Sequence, residues 1–451
     1  MRNVPGAVRA EAICASRLLN IAARSLIGSA WFAFCVPAYG SELIAPGIQP
    51  KVEAGAGQTG TRGSSSLFHN PANIVYSRPV EPYFDISYAS VSYIYTHPDA
   101  KFDPVRVNVI APPVTLGIAM KPMRRFAFGL AAVPLGDGTP QKIERVPLRL
   151  PLGGDDRTLP LNVETSQKAW EIAAGGAWRF DEVFTLGLGL VHSRETTRLR
   201  VTDPRDETTP TLDAQYGGAF NQYVLGARSE LVDRRLVLGG SYRTPVVKRF
   251  NGDYATASSP GSFEPWRGAD YAPAELSLAG EYRVRRTTIF GEYARTFWSG
   301  GRDEVGRGLP DEAEEADLRD TNTVIVGGRY AVLPRQLLLG AIGLYGANVG
   351  DGTPLPLSGA DATGGTGESG DAAATLPSGK GQVSGVQFGN LDALPRRVIS
   401  GGWRLGVPEH GYVTGGVQYA TGTRSVPEGR SGEGTYGLRV VLLSVGGAWG
   451  F

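Results

Sequence analysis

Cysteine is almost missing from this chain. Only Cys14 and Cys35 occur among 451 residues, and both lie in the first forty. If that segment is a leader, the mature chain has no disulfide, no thiolate metal site and no cysteine nucleophile. Histidine is scarce as well: His69, His97, His192 and His410 are the whole set. Only His192 falls inside a strand-like segment, beside Ser193, and adjacent strand residues point to opposite faces. The pair therefore cannot form a nucleophile–base contact, and no G-x-S-x-G elbow is present, so neither a lipase nor a protease is expected. Past residue 40, no apolar run reaches the roughly 18 residues that a spanning helix needs. The 62 glycines and 31 prolines have no three-residue period, which excludes collagen. The formal charge of +1 gives no electrostatic footprint for nucleic acid.

Residues 1–40 have the pattern of a secretory signal. Arg2, Arg9, Arg17 and Arg24 supply a basic start, followed by an uncharged, mostly apolar run from Leu26 to Tyr39, broken by Pro37. Ala38 and Gly40 are small residues suited to cleavage. Loss of this segment removes four arginines and Glu11, moving the formal charge from +1 to −2. The alternative, a single membrane anchor, is disfavoured by the short run and its proline.

The connections in the rest of the chain sort by length. Strand-like segments pair across tight turns at Arg179–Glu182, Val232–Arg235, Val284–Arg286, Val332–Arg335 and Pro408–His410. Long polar loops are expected between those pairs, at 136–162, 202–219, 249–271, 299–320 and 349–393. A membrane-spanning barrel has this asymmetry, with short turns on one rim and long loops on the other. Period-two alternation supports it. Leu276, Leu278, Gly280, Tyr282 and Val284 share one face, and Glu275, Ser277, Ala279, Glu281 and Arg283 the other. Trp170, Ile172, Ala174, Trp178 and Phe180 similarly oppose Glu171 and Arg179. A charge on the lipid face costs about 2–4 kcal/mol at the midplane, which explains the sorting. Tyr83, Tyr93, Tyr95, Phe297, Trp298, Trp403, Tyr412 and Tyr419 stand near strand ends, as aromatic girdles would.

About fourteen such segments occur, an even number ending on Phe451. The predicted fold is all-β: a transmembrane antiparallel β-barrel of about fourteen strands over residues 82–451. Its wall is too wide to fill its own interior, and residues 41–81, which read poorly as strand, are the expected plug. The last strand is apolar on both faces near its start, as an apolar lumen would require. No cofactor and no metal are expected. Gly55–Gly60 matches G-x-G-x-x-G but follows no strand and opens no helix. Asp137–Pro140 and Asp351–Pro354 are turn sequences, and the acidic run Asp311–Asp317 is a solvated loop.

Several segments, in order, resemble the long-chain fatty-acid transporters of the outer membrane (FadL type), a family that includes importers of small aromatic hydrocarbons. Asn70-Pro71-Ala72 stands where the family's hatch motif would be, after a Gly-Ala-Gly stretch at 55–57. Asn73 replaces the family's usual glycine. Phe128-Gly129-Leu130 to Pro134-Leu135-Gly136 is similar to the family's kinked third strand, Gly239–Val246 to a Gly-Leu-Ser-Tyr-Arg-Ser-Pro-Val strand, and Ile289–Ser299 to a strand ending in Trp-Ser. The resemblance implies an outer-membrane channel for passive uptake of hydrophobic compounds, fatty acids or aromatic hydrocarbons, without catalysis. It implies a hatch anchored by Asn70, Pro71 and Ala72. It also implies lateral release through a gap beside the third strand at Ala132, Val133, Pro134, Leu135 and Gly136. The expected partners are those hydrophobic small molecules, outer-membrane lipid and lipopolysaccharide, and the barrel-assembly machinery, with the chain acting as a monomer. The competing expectation is a general porin for small polar solutes.

Overall fold

The computed structural model describes residues 46–99, 101–111, 113–137, 141–152, 155–256, 263–300, 319–347, 394–407, 411–426 and 434–450. The signal at 1–40, the Pro408–His410 turn, the acidic run and residues 349–393 lie outside them.

Eighteen strands form one sheet. They are β1 (Val80–Thr96), β2 (Val105–Ala111), β3 (Val114–Met123), β4 (Phe126–Asp137), β5 (Gln141–Leu152) and β6 (Asp155–Arg179). Next come β7 (Phe184–Asp203), β8 (Asp206–Leu231), β9 (Leu236–Arg243), β10 (Val246–Thr256), β11 (Glu264–Ala272) and β12 (Ala274–Val284). The last six are β13 (Thr287–Phe297), β14 (Thr321–Leu333), β15 (Gln336–Tyr345), β16 (Arg396–Val407), β17 (Gly411–Val426) and β18 (Gly434–Trp449). Four passes are built of two pieces each (β2 with β3, β4 with β5, β9 with β10, β11 with β12), so the wall is a closed antiparallel barrel of fourteen passes. β18 closes it against β1, from Tyr83–Ala448 to Thr96–Thr435. Closure satisfies both edges, which is what lets a sheet stand in lipid.

Alternation sets the two faces. Along β7, Phe184, Leu186, Leu188 and Leu190 are exposed, while Thr185, Gly187, Gly189 and Val191 are buried. β12 divides as its sequence predicts, with Leu276, Leu278, Tyr282 and Val284 outward and Ser277 and Glu281 inward. β18 presents Val441, Leu443 and Val445 outward and Leu438, Val440 and Leu442 inward, so its two apolar faces meet lipid and an apolar interior.

Two expectations change. Three of the expected loops are mostly strand. β5 pairs with β6 from Gln141–Thr165 to Leu152–Asp155, β7 with β8 out to Asp203–Asp206, and β10 with β11 out to Tyr254–Glu264. These hairpins carry the wall past the apolar band, where the outward face no longer meets lipid. Their composition reads as loop for that reason. The aromatic girdle is also revised. Trp403 and Tyr419 are exposed, but Tyr83, Tyr93 and Tyr95 are buried. These three share the parity of Asp85, Ser87 and Val91, the inward set of β1. Proximity to a strand end does not decide which face a side chain takes.

Residues before β1 fold as short helical turns. α1 spans Ile48–Val52, and two 3-10 turns span Ser64–Phe68 and Pro71–Tyr76. α1 packs against β15–β18, whereas the 3-10 turns pack against β3, β4 and β6–β8. The segment therefore bridges facing arcs of the wall. β1 opens at Val80, two residues before the boundary expected at 82.

Candidate functional site

The second 3-10 turn is tied to the barrel wall at several points. Asn70 caps it: its Oδ1 accepts from the Ala72 N–H at 3.1 Å, and Pro71 occupies the first helical position, where no N–H is needed. Asn70 Nδ2 donates to the carbonyls of Ala227 in β8 (2.9 Å) and Gln58 (3.1 Å). Asn73 Nδ2 donates to the same Gln58 carbonyl at 2.9 Å, while its Oδ1 accepts from Arg228 Nη1 at 3.0 Å. The side chain that departs from the family pattern is thus tied into the wall.

The wall opposite is made of small residues. Leu67, Phe68, Ile74 and Val75 bury against Ala119, Ala127, Ala131, Ala173 and Ala177. Burying each large side chain is worth about 1.5–3 kcal/mol. At Gly187 and Gly226 even a methyl group is excluded. A Cβ at 187 would lie 2.3 Å from the Ala72 nitrogen, and one at 226 would lie 2.2 Å from Asn70 Oδ1.

Charge holds the remainder of the segment. Arg329 of β14 donates to Glu53 (Nη2–Oε2 2.9 Å) and to Glu281 of β12 (Nη1–Oε2 2.6 Å), and Arg283 also reaches Glu281 at 2.7 Å. Lys51 pairs with Asp85, which also accepts from the Tyr83 hydroxyl at 3.1 Å. Arg228 donates to the Thr59 carbonyl (2.7 Å) and Glu230 (2.9 Å), and its guanidinium lies 4.3 Å over the Tyr76 ring. The Gly-Ala-Gly stretch gives the Gly57 and Gln58 N–H groups to Glu292 of β13 at 3.0 and 3.1 Å. The G-x-G-x-x-G segment thus gives two of its N–H groups to a side chain of the chain itself. His69 Nε2 donates to the Pro46 carbonyl at 2.8 Å, and burial holds its pKa down to about 4. Its imidazole is neutral at pH 7, and that nitrogen carries the donated proton.

Above α1 the interior changes character. Ala54 and Ala56 join an apolar cluster with Val91, Tyr93, Tyr95, Val398, Leu438 and Val440. Two guanidinium groups border this cluster. Arg396 is paired across the sheet with Tyr345, and its charge lies 5.2 Å from that ring's centre. Arg424 is paired with Tyr436, which in turn stacks on Tyr95 with ring centres 4.9 Å apart. Both arginines are buried. Arg396 sits opposite Gly422, two residues from Arg424 on the same face, so the charges are diagonal neighbours. Sequence reasoning missed both. A weak signal exists: each is a charge at the inward parity of a strand whose adjacent inward positions are apolar or small.

The predicted kink has a specific geometry. Among the described residues, the ladder between β3 and β4 ends at Leu116–Ala132. Val114 and Thr115 keep only their pairing on the other edge, with Ile86 and Asp85 of β1. On its other edge β4 continues along β6, but the register slips between Pro134–Trp170 and Gly136–Ala169, leaving Leu135 as a bulge. Proline has no N–H to give a ladder. Among the described residues, Val133, Pro134, Gly136 and Asp137 are paired with β6 alone. Val133 lies in the apolar cluster of Ile74 and Val75, and Leu135 packs against it. The two sites read from sequence, the Asn-Pro-Ala turn and the third-strand kink, meet there.

His192 and Ser193 do not meet. His192 Nδ1 contacts Asn221 at 2.8 Å, and Ser193 donates to Glu171 at 3.0 Å. Asp137 ends β4, and the rest of both Asp-Gly-Thr-Pro turns lies outside the described residues.

No protein-family model matches the chain, and no curated protein sequence matches it. Solved structures do. A FadL homologue of Pseudomonas aeruginosa is similar over 93% of this chain and 100% of its own, with TM-score 0.61 and 14% identity. The toluene transporter TodX of P. putida covers 92% of this chain and 99% of its own (TM-score 0.56, 12% identity). The fold is that of the FadL-type channels. The toluene transporter TbuX of Ralstonia pickettii matches at TM-score 0.52 and 10% identity over 92% of this chain. A FadL-type barrel with an apolar outer band crosses a bacterial outer membrane many times.

Proposed function

We propose that the chain is an outer-membrane channel for passive uptake of hydrophobic compounds and that long-chain fatty acids are its substrates. One observation supports the choice of substrate: an apolar, aromatic cluster inside the barrel is bordered by two buried guanidinium groups, Arg396 and Arg424. An alkyl chain fits the walls, and a carboxylate fits the guanidinium fork. A neutral hydrocarbon such as toluene, which TodX is named for carrying, has no use for either charge. The ligand enters from the rim of long hairpins and settles against this cluster. The packed segment at 46–79 acts as a plug, anchored by Asn70, Pro71 and Ala72, and bars the straight route. Release is then lateral, beside Val133–Gly136, where β4 has lost one neighbour.

Mass spectrometry of ligands extracted from detergent-purified protein tests this: long-chain fatty acid should be retained. Arg396→Gln with Arg424→Gln should lower fatty-acid affinity by at least about tenfold, since each hydrogen bond to a charged group is worth about 1.5–3 kcal/mol, and should leave hydrocarbon binding unchanged. Large steady conductance with no copurified lipid would favour a porin. Deleting Leu135 removes the bulge and lets β4 run straight along β6. Ligand should still bind, but uptake by cells should fall to background; undiminished uptake would exclude the lateral route.

A further inference from the structure

The outward wall carries a feature that uptake does not use. Across β4, β6, β7, β8, β9 and β12 the membrane face is sunk into a groove of about 990 Å³ with an almost wholly apolar lining. Cross-strand pairing explains the hollow. Gly176 lies between Phe128 and Leu188, and Ala227 faces Gly240 as a second small pair. At the end away from the short turns, Ala174, Leu190 and Tyr223 form one outward row across β6, β7 and β8.

Above that row the same face turns polar. Ile172, His192 and Asn221 come next, then Trp170, Arg194 and Ala219. Parity fixes the side: Arg194 is exposed and in step with Leu186, Leu188 and Leu190, while Ser193 and Glu195 hold the lumen parity. Arg249 of β10 joins from the other flank of β8. Lys248 lies over the Phe220 ring at 4.9 Å on the lumen side, so its exposed successor Arg249 stands outward beside Ala219. Arg249 also shares the face of Asn251, which pairs with Gly217. Strands two apart are about 10 Å apart, a span that two arginine side chains can close over a small floor. Among the described residues, neither guanidinium has a carboxylate within ion-pair distance. The other charges nearby on this face fall into opposed couples. Lys168 is opposite Asp137 in the ladder, Arg200 is opposite Glu164, and Arg267 is diagonal to Asp253. Arg198 is paired with Asp213 at 2.8 Å. Arg194 and Arg249 remain as the surplus.

We propose that the long-hairpin end of this groove seats lipopolysaccharide, with a lipid A phosphate held between Arg194 and Arg249 over Ala219. Its acyl chains run down the groove over Gly176 and Ala227. Charge complementarity selects the occupant. The rim of long hairpins faces outward, and the glycolipid of that leaflet carries its phosphates where the apolar face ends. The guanidinium fork matches phosphate oxygens in a bidentate way. Trp170 and His192, with ring centres 5.4 Å apart, form a shelf for the sugar between the arginines and the groove. An apolar groove without the two cations would take any acyl chain. The channel's cargo has no bearing on this site.

The full chain, exchanged into mixed micelles holding equal amounts of bisphosphorylated lipid A, its dephosphorylated form and phosphatidylglycerol, provides the test, with retained lipid counted by native mass spectrometry. Wild type should retain bisphosphorylated lipid A in preference to both others. Each cation near an anionic headgroup is worth about fivefold, so Arg194→Gln with Arg249→Gln should cut that retention by at least about tenfold and leave the dephosphorylated form unchanged. Arg194→Lys with Arg249→Lys should keep most of the preference. Arg124→Gln with Arg125→Gln, at the opposite rim, should change nothing. Ala174→Leu with Ala227→Leu fills the floor and should lower both forms of lipid A. Heat-modifiable migration on gels confirms that each variant holds a folded barrel. Equal retention of the two forms by wild type overturns the proposal, as does unchanged retention in the glutamine variant. Phosphatidylglycerol retained as well as lipid A would mean a site for any anionic lipid and overturns it too.

Discussion

Replacing Gly187 by valine should open the barrel. The new Cβ would lie 2.3 Å from the Ala72 nitrogen and 2.4 Å from the Pro71 carbonyl carbon. Both are backbone atoms, so no rotamer change relieves the clash, and valine adds two further methyl groups. Overpacking of this kind typically costs about 1–3 kcal/mol when neighbours can shift. Here the neighbour is a separate segment whose displacement is the cheaper response. The Pro71–Tyr76 turn should leave the wall, losing the Asn70–Ala227 hydrogen bond and the burial of Ile74 and Val75. The barrel should survive, because its ladder runs from β1 to β18 without that segment. In planar bilayers the wild type should pass little steady current, and Gly187→Val should conduct continuously. Gly226→Val should behave alike, whereas Leu188→Val, on the lipid face, should not. A closed Gly187→Val channel would mean that the segment does not plug the lumen.

Arg329→Met should be the most destabilising change at the other end of the segment. Arg329 joins Glu53 to Glu281, and both carboxylates are fully buried. Removing one partner of such a cluster costs about 3–5 kcal/mol, because a buried charge loses its compensation. The loss is unequal. Glu281 keeps Arg283 at 2.7 Å, whereas Glu53 keeps only the Gln49 side-chain amide at 3.0 Å. Glu53→Gln introduced together with Arg329→Met should therefore recover most of the loss, which makes the pair strongly non-additive. Thermal unfolding in detergent measures the stability, and limited proteolysis before β1 reports whether the segment has come loose. If the two substitutions simply add, the cluster is not the latch.

Much of this was legible from one sequence. Leu276 to Val284 alternate with charges on one side only, and the strand they form faces lipid and lumen as the pattern requires, since side-chain period two is a local property of extended chain. The Asn70-Pro71-Ala72 turn was legible for the same reason: asparagine capping and a proline at the first helical position act within three residues. Hairpins such as β7 with β8 were not, because polar residues paired above the membrane have the composition of a loop. Tyr83, Tyr93 and Tyr95 were assigned to the girdle on position, whereas the pairing of β1 with β18 turns them inward. The Arg329–Glu53 pair spans 276 positions in the chain, and nothing near either residue announces the other. The same holds for Arg396 and Arg424, which become neighbours through the register of β16 with β17, and for Leu135, whose bulge exists only relative to β6. Short-range chemistry wrote the strands, their number and the Asn70-capped turn into the sequence. Closure of the ring chose which partners meet across the lumen, because contacts between distant segments depend on register and curvature, which no local pattern encodes.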